Sequence, residues 1–147
     1  ELLDTPAAVR GISAEPLLGR IDLNGIEIPL SGAAGVEAVK LSVLRGGVQI
    51  GIARHLDWVI IGGESGPGAR AFRLEWARAL VEQCRAASVA CFVKQLGANP
   101  RELGGLIGDT GFSAVPKVQL RDKKGGDWSE WPGDLRVREF PRAHGDG

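Results

Sequence analysis

The chain has 147 residues, 44% hydrophobic and 24% charged, a globular mix that excludes global disorder and suffices for one domain with one core. Lys plus Arg is 18 and Asp plus Glu is 18, for a net charge of zero, which argues against a strongly basic nucleic-acid binder while leaving room for a local patch. No apolar run reaches the roughly 18 residues of a membrane helix, and no basic-then-apolar leader points to secretion. The expectation is therefore a cytoplasmic protein with no membrane partner. Two cysteines and two histidines are too few for a disulfide framework or a structural zinc site. The chain starts at Glu1 and contains no Met, which suggests a fragment or a processed chain.

Residues 1–9 read as a helix end or a polar approach loop. Arg10 to Glu15 reads as a short buried strand stopped by Pro16, since a residue before proline is pushed toward extended geometry. Residues 16–35 are punctuated by Gly and Pro like a loop, and 36–54 fit neither helical nor strand period. The clearest unit follows. Asp57 to Gly63 is a continuous apolar run ending in glycines, as in a parallel strand buried on both faces. Leu74 to Ala87 has helical spacing, with Leu74, Ala77, Leu80, Val81 and Cys84 toward one side and Glu75–Arg78 and Glu82–Arg85 spaced to pair. Val89 to Val93 is a second apolar run, ending in Lys94-Gln95. Strand, helix, strand makes a βαβ unit. Residues 98–134 are loop-rich, and Leu135 to Phe140 alternates apolar and charged like a half-exposed edge strand.

In parallel α/β sheets, ligands collect beyond the carboxyl ends of the strands. Here those ends carry Ser13 and Glu15, then Gly62 to Gly68, then Lys94 and Gln95. Side by side they would gather two carboxylates, an ammonium, an amide and a glycine-rich backbone. Gly68-Ala69-Arg70 lacks the Lys-Ser/Thr of a P-loop. Gly66 to Ala71 matches G-x-G-x-x-G/A, but the next strand ends in Lys94-Gln95 rather than the acid of a dinucleotide site. Gly63 to Pro67 breaks the nucleophile elbow at its last position. Two readings of the loop stand. Its backbone N–H groups and Arg70 could receive an anion, or it is a tight turn with Glu64 paired to Lys94 or Arg70. Cys84 and Cys91 read as buried structural thiols, and His55 and His144 as ordinary surface or loop residues. Lys123, Lys124, Trp128 and Trp131 could contact nucleic acid, or form a solvated loop whose tryptophans pack inward. At Arg73 a capping Asp, Asn or Ser would be expected before the helix.

Thr5 to Arg10, Ser13 to Gly19, Leu56 to Arg70 (with GGESGPGAR), Phe92 to Gly97, Trp131-Pro132 and Asp134 to Pro141 (DLRVREFP) appear in an order that resembles the C-terminal half of the three-Cys-motif phage protein family, a domain of unknown function. That family is similar to radical S-adenosylmethionine (SAM) proteins. The resemblance implies an α/β fold, the C-terminal half of a partial (β/α) barrel with irregular loops and a C-terminal edge strand. A whole barrel takes about 250 residues, so 1–147 would be a single incomplete domain, with 24–55 a variable insert. It implies a [4Fe–4S] cluster and SAM for the full-length family, but Cys84 and Cys91 have neither the number nor the spacing of its cysteine motif. No cofactor is then expected for this chain alone, which should be catalytically silent. Carried over by position, Gly62, Gly63, Glu64, Ser65 and Arg70 would line the cofactor side, Glu15, Glu64 and Lys94 would be the catalytic candidates, Gln95 would face substrate, and no residue binds metal. The implied partner is the missing N-terminal half or another protein. The alternative is a non-catalytic binding module for nucleic acid or a protein.

Overall fold

A computed structural model describes residues 2–29, 38–45, 55–103 and 115–142. Strands β1 (Gly11–Ala14), β4 (Trp58–Gly62) and β6 (Ala90–Gln95) form a parallel sheet in the order β1-β4-β6. Helix α1 (Leu74–Ala87) connects β4 to β6, which is the βαβ unit that the change from apolar run to helical spacing predicts. Register aligns Ile12, Val59 and Cys91, and then Ala14, Ile61 and Val93. Side chains alternate across a strand, so these rows share one face. Val59, Ile61, Cys91 and Val93 are buried there with the five expected helix residues Leu74, Ala77, Leu80, Val81 and Cys84.

The other face is less covered than the apolar run predicts. Trp58, Ile60 and Phe92 are only half-buried, because the C-terminal segment is what screens them. Phe140 lies 5.8 Å from Trp58 and 5.4 Å from Phe92, centroid to centroid. The Trp58 indole N–H donates to the Glu139 carbonyl at 3.1 Å.

Several expectations are corrected. The first strand alternates exposed and half-buried rather than being buried, since β1 is an outer strand of the sheet. Residues 16–35 are not all loop: β2 (Ile26–Pro29) pairs antiparallel with β3 (Ala38–Leu41). Two very short strands, β5 (Phe72–Arg73) and β7 (Pro100–Arg101), pair in parallel beside the start of α1. The C-terminal edge strand shrinks to an antiparallel bridge between Arg138 and Phe92, with Val93 N–H donating to Val137 O and Glu139 N–H to Cys91 O. Its first residue, Leu135, instead ends a 3-10 turn, Gly133–Leu135, and is buried. Among the described residues the strands do not close a barrel. Parts of 24–55 lie outside the described residues.

Helix α1 starts at Arg73 without a side-chain cap. The Arg73 guanidinium lies 5.7 Å from the Trp76 ring centroid, and β5–β7 pairing fixes the entry instead. At the other end Ser88 adopts φ 57°, ψ 33°. Ser88 N–H then donates to Arg85 O, and Val89 N–H to Cys84 O, the bond pair of a Schellman stop.

Candidate functional site

The carboxyl ends of β1, β4 and β6 meet at one rim, as strand-end logic predicts. Glu15 follows β1 directly, and its side chain is 19% exposed. Its Oε2 accepts from Ser13 Oγ at 2.8 Å and from Lys94 Nζ at 3.4 Å. A Cβ at position 62 would collide with Glu15 Oε1, so glycine at the end of β4 creates the space the carboxylate fills. The backbone holds this arrangement, with Leu17 N–H donating to Gly62 O at 2.9 Å. A register shift between Ile61 and Gly62 sets Gln95, not Lys94, opposite Gly62. Gln95 then clamps Gly63 twice: Gly63 N–H donates to Gln95 O, and Gln95 Nε2 donates to Gly63 O at 2.9 Å.

Glu64 turns the other way. Arg70 donates to it from backbone N (2.8 Å), Nε (3.0 Å) and Nη2 (3.0 Å). The Arg70 side-chain hydrogen bonds first, and its backbone N–H second, push the Glu64 carboxyl down to about 2 from 4.5. A carboxylate held this firmly ionised braces the 64–70 loop and is a poor proton carrier. Ser65 stands exposed near the loop tip. The loop is stitched to the end of β6 through Ala98 N–H and Glu64 O at 2.8 Å. Gly97 takes φ +78° there, and a Cβ on it would strike the Glu64 backbone. The structure thus unites Glu15, Gly62 and Lys94, attaches Gln95 to Gly63, and gives Glu64 to Arg70 rather than to Lys94.

Sequence reasoning missed the organiser of the neighbouring loop. Asp122 accepts backbone N–H groups from Lys124 (3.0 Å), Gly126 (2.7 Å) and Asp127 (2.9 Å). Those bonds, Lys124 and Gly126 foremost, hold its carboxyl below the usual range. Asp two residues before Lys124 and four before Gly126 is the sequence signal for such an Asx-type turn. The folded loop places Gly125 O to accept from Leu96 N–H at 2.9 Å. Of the two nearby tryptophans, Trp131 packs inward at 2% exposure and Trp128 stays 44% exposed. Arg138 sits 4.8 Å above the Trp128 ring.

Cys84 and Cys91 are both buried. The hydrogen bond that Cys91 donates to Cys84, and then burial, push the Cys91 thiol far up. Among the described residues no group of three His, Cys, Asp or Glu is placed to hold a metal, and no helix is long and apolar enough to cross a membrane.

A family model matches residues 1–132, a span that contains every rim residue. The chain belongs to the family described as "protein of unknown function (DUF5131)". No curated protein and no solved structure matches it. Membership in the DUF5131 family assigns no chemistry to the rim, so the reading of the site rests on its geometry.

Proposed function

We propose that the rim is the ligand mouth of a partial (β/α) barrel, and that this chain is the SAM-binding part of a radical-SAM-like iron–sulfur protein of the three-Cys-motif kind. The observation that carries the reading is the Glu15–Lys94 pair over Gly62. Groups from three separate parallel strands converge at their carboxyl ends, where ligands of parallel α/β sheets gather. The β1-β4-β6 order, with a helix crossing between β4 and β6, suits consecutive barrel strands.

The fit differs for the two implied groups. An iron–sulfur cluster does not fit the described residues, because the two thiols are buried in the core and three thiolates are needed. The cluster ligands are assigned to a partner or an adjoining segment, and no step is drawn through the cluster. SAM fits better. Glu15 is a carboxylate for its ammonium group and Lys94 an ammonium for its carboxylate, while Gly62 makes room for the Glu15 side chain and Gly63 for the Leu96 backbone. The chemistry SAM supplies beside a cluster is radical formation. The work of this chain is to bind and orient, with Glu64–Arg70 holding the loop and Gln95 holding Gly63.

Isothermal titration with SAM tests this. Saturable binding that weakens at least tenfold in Glu15→Gln and in Lys94→Ala is expected. Anaerobic treatment with iron and sulfide should leave the chain without a stable cluster absorbance or SAM cleavage. Binding indifferent to both substitutions, or a cluster formed on this chain alone, overturns the proposal. The aromatic half of the nucleic-acid alternative is reduced to one ring, because Trp131 is buried while Trp128 stays exposed beside Arg138.

A further inference from the structure

A concavity lies beyond the 64–70 loop, apart from the Glu15–Lys94 pair. Its volume is about 450 Å³, within the range of small-molecule sites. Pro67, Val118 and Leu120 give it apolar walls, and Lys117, Lys123 and Lys124 bring three ammonium groups. All three lysines are exposed. Among the described residues none of them has a carboxylate within ion-pair distance. The acid at the pocket, Asp122, is committed to three backbone N–H groups of its own loop. That commitment stiffens the segment carrying Lys123 and Lys124. Gly66 adds a backbone edge, and a Cβ there would meet nothing within 4 Å.

We infer that this pocket binds a mononucleotide-like ligand, its phosphates at the three lysines and its flat body against the Pro67, Val118 and Leu120 walls. Cations around an apolar hollow, Lys124 beside the Asp122 carboxylate and Lys117 and Lys123 without an ion-pair partner among the described residues, select a ligand with an anionic end and an apolar body. A bare phosphate would use the charge and leave the hollow wet. Flexible ammonium groups suit phosphates as point charges, without the planar fork of arginine. The inference does not rest on SAM binding at the rim, because Lys94 and Glu15 do not line this pocket.

The test uses the full chain and a fluorescent N-methylanthraniloyl-ATP, read by anisotropy, with pyrophosphate and a single-stranded oligonucleotide as competitors. Saturable binding displaced by pyrophosphate is expected. It should fall at least tenfold in Lys123→Glu/Lys124→Glu and in Lys117→Ala, recover in Lys117→Arg, and stay within twofold in Lys94→Ala. Gln119→Trp, which keeps every lysine while filling the hollow, should also abolish it. Thermal midpoints near wild type confirm that each variant folds, and if Gln119→Trp fails to fold, the lysine variants decide. Absence of saturable binding, or affinity unchanged by the lysine substitutions, overturns the inference. So does binding of the oligonucleotide without the mononucleotide, since an open basic surface would then explain it. Loss of SAM binding in Lys94→Ala with nucleotide binding intact separates the two sites.

Discussion

Glu15 and Gly62 form one unit at the scale of single residues. The carboxylate occupies the volume a Cβ at 62 would need, so Gly62→Ala must evict Glu15 and break its bonds to Ser13 and Lys94. Because a flexible, partly exposed carboxylate can swing aside, the cost should lie at or below about 1 kcal/mol, the low end for overpacking. In a Glu15→Ala background most of that cost should vanish, because contacting residues are non-additive. Urea melts of the double-mutant cycle measure it, and additive costs would refute the pairing. Glu64 gives a second prediction. Its folded pKa of about 2 lies below the ordinary 4.5. Its contribution to loop closure is therefore complete above pH 4.5 and lost as pH falls through 2. A carboxyl-carbon NMR titration of Glu64 should show the low midpoint, moving up into the usual range in Arg70→Ala. A wild-type midpoint at the ordinary value would contradict the clamp.

Among the elements, α1 shows what local sequence can and cannot dictate. Its end uses a serine in the left-handed region, at φ 57°, which costs an L-residue about 1–2 kcal/mol. Ser88→Gly should recover roughly 0.5–1 kcal/mol after the added unfolded-state entropy. A chemical-denaturation midpoint that falls instead would show that the serine side chain has a use the stop motif does not explain. The span of the helix and its buried face were legible in the sequence, because apolar periodicity is local and the strands on either side are apolar runs. Partner choice was not. Glu75 and Arg78 are correctly spaced to pair, yet Arg78 goes to Glu102 at 2.7 Å and to Asp134. Glu82 and Arg85, without such tertiary competitors, do pair at 3.1 Å. The β5–β7 contact and the Ile26–Pro29 strand escaped notice because two to four residues beside Gly or Pro carry too little pattern, and distant partners decide them. The rim was legible from strand-end logic. Which of Lys94 and Arg70 would take Glu64 was not, since that depends on loop geometry.

For the molecule as a whole, the three-stranded sheet is asymmetric. Its β6 side carries the C-terminal segment, whereas β1 pairs only with β4 among the described strands. An exposed strand edge is a template for further pairing. Under the partial-barrel proposal the chain should associate with itself or a partner half, or unfold with a low midpoint. Size exclusion with light scattering checks this, and a compact monomer with a steep, high-temperature unfolding transition counts against it.

The placement of the two thiols has a practical consequence. Cys84 and Cys91 are the two cysteines of the chain, and their exposures are 0% and 1%. A maleimide or disulfide reagent should leave the native chain unlabelled and modify two sites after denaturation. A cysteine introduced at an exposed helix position such as Ala86 can then carry a dye or spin label without deleting either native thiol. The protein's own core thus leaves its surface chemically blank for spectroscopy.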